Sequence, residues 1–261
     1  IYGDAPVLLT PTATSGLPVA LTVLSGSSAV AIEAGTMKIV GVGTVMVRAS
    51  QSGNNDYLAA TPVDRSFEVI RRDVPVLGLS ALNRVYDATV NAPLSGTPVL
   101  ADGAIVPGDG VTLSGIAVGT FDSTSIGTAK PVTVSGLTLS GSLAMNYRML
   151  PVLGLTANVT LKSVTVEGIS AVDKVYDGSP VVLLSGTARA VGLVDGDAVS
   201  LVATDSGTLA DANAGLTKPV TVTGFGLSGA SASNYTLTQP NTLTATVSPR
   251  ELTIAGLEVP V

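Results

Sequence analysis

Short stretches of alternating apolar and polar residues recur along the whole chain. Residues 19–24, 43–49, 131–139 and 243–247 place Val, Leu or Ala at every second position, with Thr, Ser or another residue between them. An alternation of period two is typical of a half-buried β-strand, and β-branched Val and Thr favour a pleated sheet. Gly, Pro, Asp-Gly and Ser-Gly interrupt these runs at about every 8–12 residues, the spacing of a sandwich or barrel. We predict an all-β protein.

The sequence also repeats itself. Tyr86 and Tyr176 stand at the centre of two Val-Tyr-Asp segments and lie 90 residues apart. The segment Lys-Pro-Val-Thr-Val begins at Lys130 and again at Lys218, 88 residues later. Further matches join Gly108-Asp109 with Gly196-Asp197, Leu139-Ser140-Gly141 with Leu227-Ser228-Gly229, and Asn146-Tyr147 with Asn234-Tyr235. We infer two complete modules of nearly equal length.

A third, more divergent copy precedes these two modules. The six tyrosines fall two to a module, as the repeat tyrosines Tyr2, Tyr57, Tyr86, Tyr147, Tyr176 and Tyr235. We predict modules at residues 1–73, 74–163 and 164–251, of which the first lacks its first strand. Residues 252–261 are then the first strand of a following module, which is disordered, folded back or paired with the edge of another chain.

The joints between modules repeat as well, at residues 72–79, 162–169 and 250–257. Each joint has a strand that ends, a basic residue and a new strand, with no flexible Gly/Ser linker between them. Such joints predict stiff end-to-end stacking. With strands of roughly 8–9 residues, each module is about 30–40 Å long, and the elongated rod exceeds roughly 100 Å.

These motifs resemble a known family as a set. Lys174-Val175-Tyr176-Asp177-Gly178, the Gly196-Asp197 turn, the Lys218-Pro219-Val220-Thr221-Val222 strand and Asn234-Tyr235-Thr236-Leu237 resemble the YDG repeat of large bacterial surface adhesins. The middle module has Arg84 and Ala88 where that pattern has Lys and Gly. The first module, with Ile1-Tyr2-Gly3-Asp4, looks like the MBG-type bacterial Ig-like repeat. The resemblance implies antiparallel Ig-like β-sandwiches in filamentous, haemagglutinin-like adhesins that are secreted to the bacterial cell surface, and it implies no catalytic residues.

Composition narrows the function further. The 261 residues include no Cys and no His, which excludes zinc fingers, thiolate nucleophiles and catalytic triads that contain His. A net charge of −6 argues against nucleic-acid partners, which require a basic face. No uninterrupted apolar span approaches the roughly 18 residues of a membrane helix, so we predict no membrane insertion.

The tyrosines have two interpretations. As functional residues they are stacking platforms for sugar rings. As structural residues they fix the fold, because a Tyr near the start of a late strand whose hydroxyl bonds a nearby backbone group is the tyrosine corner of β-sandwiches.

The acidic loops also have two interpretations. Asp-Gly pairs are primarily turn formers, since both residues tolerate positive φ. Calcium requires six to eight oxygen ligands, and no loop here has that spacing. Asp195 and Asp197 are the best candidates for a calcium site if one exists; we expect no other cofactor.

A polar set that repeats suggests a covalent crosslink. Its members are Asp87, Lys130 and Asn146 in one module and Asp177, Lys218 and Asn234 in the next. Burial beside a carboxylic acid lowers the pKa of a Lys and makes its amine nucleophilic toward an Asn side chain. Alternatively, these residues are a solvated Lys before Pro, a turn Asp and a loop Asn.

We therefore expect a non-catalytic stalk whose modules hold a distal binding region of a bacterial adhesin away from the cell. The partners of each module are the neighbouring repeats of the same polypeptide. In the alternative hypothesis the modules themselves bind, through a host or cell-surface glycan or protein, or by self-association at exposed strand edges. An enzyme is the weakest interpretation, since the 19 acidic residues are scattered mostly over turns.

Overall fold

A computed structural model describes residues 1–256. Within this range the chain forms 26 β-strands and no α-helix, so the all-β prediction is confirmed. Two single 3-10 turns, Ala144–Asn146 and Ala232–Asn234, each lead directly into a strand. None of the described segments is a helix long and apolar enough to span a membrane.

The strands are β1 (Val7–Leu8), β2 (Ala20–Ser25), β3 (Val30–Glu33), β4 (Thr36–Ile39), β5 (Gly43–Ser50), β6 (Val63–Val69), β7 (Arg72–Val74), β8 (Val76–Leu77), β9 (Ser80–Ala81), β10 (Arg84–Val85), β11 (Asn91–Ala92), β12 (Leu94–Ser95), β13 (Val99–Leu100), β14 (Thr112–Phe121), β15 (Gly127–Ser140), β16 (Tyr147–Met149), β17 (Thr156–Thr160), β18 (Lys162–Ala171), β19 (Lys174–Val175), β20 (Val181–Val191), β21 (Ser200–Val202), β22 (Ser206–Leu209), β23 (Gly215–Thr221), β24 (Gly226–Ser228), β25 (Tyr235–Thr238) and β26 (Thr244–Ser248).

The chain divides into two compact units. Unit 1 consists of Ile1–Ala81, Pro93–Thr120 and Val132–Thr156, and unit 2 consists of Leu82–Ala92, Phe121–Pro131 and the residues from Ala157 onward. The units are therefore discontinuous, and they follow a different division from the three modules expected along the sequence. The three-module division stays a prediction.

Unit 1 contains two three-stranded antiparallel sheets, in the orders β1–β4–β3 and β2–β5–β6. Val30, Val45 and Val69 are almost fully buried between them and form one core. A second core surrounds Tyr2 and Tyr147, and β7 pairs with β16 beside it.

Unit 2 contains a seven-stranded sheet in the order β19–β26–β23–β22–β20–β18–β25. Its strands follow the period-two pattern, because Ala245 and Val247 of β26 are buried while the flanking Thr244 and Ser248 are exposed. The buried side chains of these strands form one apolar core that includes Val182.

Strand direction corrects the expectation of purely antiparallel sheets. Over residues 1–256, four pairs are parallel: β7–β16, β10–β17, β18–β25 and β19–β26. In each, an early strand of a repeat runs beside a late strand of the same repeat. Side-chain alternation is the same in parallel and antiparallel strands, so the sequence pattern could not reveal the direction.

The segment predicted as the first strand of a following module forms no strand over residues 252–256, where Leu252 and Ile254 are almost fully exposed. The rest of that segment lies outside the described residues.

Candidate functional site

Three tyrosines make the same backbone hydrogen bond at three points along the chain. The N–H groups of Tyr2, Tyr86 and Tyr176 donate to the carbonyls of Ile70, Thr160 and Ser248 at 3.0, 2.9 and 2.8 Å. Each tyrosine is thereby held at the end of a strand: β6, β17 and β26, respectively. Two of the three side chains continue into a buried cluster.

The first cluster consists of Tyr2, Asp109 and Tyr147 and lies in unit 1. The Asp109 carboxylate accepts hydrogen bonds from the hydroxyls of Tyr2 and Tyr147, at 2.9 and 2.5 Å. The Tyr147 hydroxyl also accepts from the N–H of Val106 at 2.9 Å. The two rings meet edge to face, with centroids 5.4 Å apart at 80°, a favoured aromatic arrangement.

The second cluster consists of Tyr86, Asp197 and Tyr235 and lies in unit 2. The Tyr86 hydroxyl donates to Asp197 at 3.2 Å, and the Tyr235 hydroxyl donates to the other oxygen of the same carboxylate. The N–H of Val194 donates to the Tyr235 hydroxyl at 3.0 Å. The ring centroids lie 5.5 Å apart at 78°, so the second cluster has the same residue partners and ring packing as the first. In the first cluster both hydroxyls donate to one carboxylate oxygen, whereas in the second each donates to a different oxygen.

Local sequence explains how each aspartate reaches its tyrosines. Asp109 and Asp197 each follow a Gly in a tight turn, closed by bonds from their N–H groups to the carbonyls of Val106 and Val194. Gly229, with φ +110°, lies against this turn in the second cluster, where an added Cβ would come 2.3 Å from a carbonyl oxygen. Only glycine fits this approach, which accounts for the repeated Leu-Ser-Gly motif.

Burial raises the pKa values of the four cluster tyrosines above their usual value, so these hydroxyls stay protonated to a higher pH than exposed ones. Desolvation, followed by the hydrogen bond to the aspartate, raises the pKa of Tyr147 and of Tyr235 to about 12. The pKa values of Tyr2 and Tyr86 are raised by the same two causes in the same order. Each hydroxyl therefore stays a donor toward its aspartate at neutral pH.

The remaining two repeat tyrosines do not share this environment. Tyr57 is 52% exposed on a loop where its N–H donates to the Asn54 side chain, and Tyr176 is 41% exposed. Tyr57 therefore belongs to neither cluster, and the structural role expected for it stays a prediction. Its loop lies within the divergent first copy. Tyr176 keeps the backbone position but not the cluster.

The predicted crosslinking residues of the later repeat have other partners. Lys218 Nζ donates to Asp211 Oδ1 at 2.5 Å and to the carbonyl of Asn213 at 2.8 Å. Asp177 accepts from Lys174, and Asn234 accepts from the N–H of Ile126. Within residues 1–256, no hydrogen bond joins Lys218 to Asn234 or Asp177.

The predicted set of the earlier repeat is likewise dispersed. Lys130 is buried and donates to the carbonyls of Ser123 and Ser125 at 3.0 and 2.9 Å. Asp87 accepts from Arg84 at the surface, whereas buried Asn146 immediately precedes a cluster tyrosine. The crosslink stays a prediction, and the amines it requires already have other hydrogen-bond acceptors.

The calcium candidates are also accounted for by local contacts. Asp197 accepts from two tyrosine hydroxyls, and Asp195 is exposed in the same turn. Over the described range, the structure contains no group of three or more acidic side chains placed to hold a metal ion.

Comparison with protein-family models identifies the family of this chain. A model described as the YDG domain matches residues 71–153 and again residues 160–243. The chain belongs to the YDG domain family. No curated protein matches it.

The YDG boundaries show what each cluster connects. Asp109 and Tyr147 lie in the first YDG match, whereas their partner Tyr2 precedes it. Asp197 and Tyr235 lie in the second match, and their partner Tyr86 lies in the first. The second cluster therefore joins a tyrosine of one YDG repeat to an aspartate and a tyrosine of the next, and the first cluster joins a tyrosine that precedes the YDG matches to the first of them. Sequence reasoning missed this pairing, although the shared recurrence of Tyr, Gly-Asp and Asn-Tyr was its signal.

Proposed function

We propose that these YDG repeats are non-catalytic stalk modules of a bacterial cell-surface adhesin, which hold a distal binding region away from the cell. The observation that carries the proposal is the same Tyr–Asp–Tyr cluster at two consecutive joints. A joint that is rebuilt with the same contacts supports a fixed orientation between repeats, the property that a stalk requires.

Contacts next to the first cluster support a stiff joint. Arg148 forms a two-pronged hydrogen-bonded ion pair with Asp73 at 2.6 and 2.8 Å, beside the parallel pair β7–β16. Arg72 donates to the carbonyl of Ala104 at 3.0 Å. The segment that leads from β6 to β7 is only two residues long, so little free chain remains between repeats. The Arg148 and Arg72 contacts fix β7 within the first YDG repeat, and its short connection to β6 favours end-to-end stacking of Ig-like modules, with an MBG-type module first.

Five carboxyl groups are unsuited to act as general acids, which fits a non-catalytic function. Five carboxyls have pKa values lowered by hydrogen bonds to Arg or Lys side chains: Asp64, Asp73, Asp122, Asp177 and Asp211. A general acid at neutral pH requires a raised pKa instead. The extracellular bacterial location rests on the resemblance of the YDG motifs to those of surface adhesins.

Small-angle X-ray scattering of the full chain tests the stalk. We expect a rod-like profile with a maximum dimension above roughly 100 Å, as three stacked modules require. The variant Asp109→Ala/Asp197→Ala should broaden the distance distribution without loss of the strand signal in circular dichroism. A compact profile, or an unchanged profile in the double variant, contradicts the proposal.

A glycan array is the second test of the proposal. Specific glycan binding by the intact chain favours the alternative hypothesis, in which the repeats bind ligands themselves.

A further inference from the structure

Tyr176 has the backbone position of the cluster tyrosines Tyr2 and Tyr86, but no aspartate and second tyrosine pack on its side chain in the described residues. Its N–H bonds Ser248 as the N–H of Tyr86 bonds Thr160, so the backbone position is the same. The side chain of Tyr176 is 41% exposed, whereas that of Tyr86 is 3% exposed. Among the described residues, no carboxylate accepts a hydrogen bond from the Tyr176 hydroxyl.

The loop after Tyr176 already has the conformation of the occupied copy. Asp177 Oδ1 accepts from the N–H of Ser179 at 2.9 Å, and Asp87 Oδ1 accepts from the N–H of Thr89 at the same distance. A basic side chain braces each loop by donating to that aspartate, Lys174 in one copy and its counterpart in the other.

The residue after each of these two aspartates also has the same backbone conformation. Ala88 has φ +60° and Gly178 has φ +79°, both in the left-handed region. The two copies therefore differ in what covers the tyrosine and not in the shape of the loop that carries it.

We propose that the exposed face around Tyr176 is a docking site for a further YDG repeat. The occupied copies define what this repeat presents: a Gly-Asp turn whose carboxylate accepts from the Tyr176 hydroxyl, and an Asn-Tyr segment whose ring meets Tyr176 edge to face. Both such carboxylates of this chain, Asp109 and Asp197, already accept from a tyrosine of the preceding repeat. The occupant is therefore an additional YDG repeat with an unoccupied turn. The inference rests on the stacking of repeats in the proposed function.

The test extends the full chain by one repeat. Residues 1–249 are followed by a second copy of residues 162–251, which begins at the position aligned with Arg250. The copy carries Tyr176→Phe, so only the original Tyr176 yields its nitrated peptide. Tetranitromethane modifies exposed tyrosines, and the nitration rate of Tyr176 is compared between the natural and the extended chain. Tyr57, exposed in unit 1, serves as the internal control.

We expect nitration of Tyr176 to slow about tenfold in the extended chain, in proportion to the exposed fractions of 41% and 3% for an open and an occupied tyrosine. Tyr57 should react at the same rate in both chains. A second extended chain with Asp197→Ala in the copy should regain much of the lost rate, because the carboxylate acceptor is gone.

Equal nitration rates of Tyr176 in the natural and extended chains overturn the inference when hydrogen exchange shows that the core of the copy is folded. An unfolded copy overturns it too, because the extended chain supplies every contact that residues 162–248 have in the natural chain. These outcomes are separate from those of the stalk proposal. A chain that binds glycan can still protect Tyr176, and a chain with a rod-like profile can leave it exposed.

Discussion

The substitution Tyr86→Phe tests the second cluster most directly, because it removes one hydroxyl and keeps the ring that packs edge to face on Tyr235. A hydrogen bond to a charged group contributes about 1.5–3 kcal/mol to stability. The bond to Asp197 is 3.2 Å long, and Asp197 is partly exposed and keeps its bond from Tyr235. We therefore expect Tyr86→Phe to lower the free energy of unfolding by about 1.5–2 kcal/mol, the lower part of that range.

Tyr176→Phe is the matched control, since it makes the same change in the same Val-Tyr-Asp motif at an exposed side chain. Substitutions at such sites usually change stability by less than about 0.5 kcal/mol. Urea unfolding followed by circular dichroism measures both variants. Hydrogen exchange at the N–H of Val194, which bonds the Tyr235 hydroxyl, locates the effect within unit 2.

A double-mutant cycle of Tyr86→Phe with Asp197→Ala isolates the bond between them. We expect a coupling energy of about 1–2 kcal/mol, as found for residues in direct contact. Equal effects of Tyr86→Phe and Tyr176→Phe, or a coupling energy near zero, would refute the interpretation of the cluster as a joint.

Three further predictions follow from single contacts. The folded-state pKa of Tyr147 and Tyr235 is about 12, against a usual value of 10.0. The stability that their protonated hydroxyls contribute is therefore complete below pH 10 and is lost between pH 10 and 12. The urea concentration at the unfolding midpoint should fall across this pH range, and it should fall less in the Tyr235→Phe variant. Gly186→Ala should lower stability by about 1–3 kcal/mol more than Gly196→Ala in thermal unfolding. Both glycines have a positive φ, but only at Gly186 would the added Cβ meet a carbonyl oxygen, at 2.3 Å. Equal losses of stability in the two variants would contradict this steric argument. Since Lys218 donates to a carboxylate and two carbonyls, the intact mass should equal that of the sequence. A mass lower by one or more molecules of ammonia would show instead that the crosslink forms.

The strands were predictable because their burial is decided locally. In β17, Ala157 and Val159 are buried and the flanking Thr156 and Thr160 are exposed, as a period-two pattern requires. The pattern reports only which side of a sheet each residue faces. It does not report which strand lies alongside or in which direction that strand runs, so the parallel pairs were missed. Register and direction depend on contacts between residues that are far apart in sequence.

The clusters could not be predicted from the sequence for the same reason, because their contacts join residues that are far apart in the chain. Sequence reasoning treated Asp197 as a turn former, and the turn is there, but its carboxylate serves a tyrosine 111 residues earlier in the chain. Comparing the repeats with one another finds Tyr86 and Asp197 separately, because each matches its equivalent in another copy. Alignment cannot show that a tyrosine of one copy bonds an aspartate of the next copy. A bond within one copy and a bond between neighbouring copies would give the same periodic sequence. The second cluster is a property of two adjacent repeats, and a repeat studied alone would lack the hydrogen bond and the ring contact that Tyr86 contributes. Stability measured on an isolated repeat should therefore understate that of the same repeat in the chain, because burial of the joint tyrosine and its hydrogen bond form only when the neighbour is present.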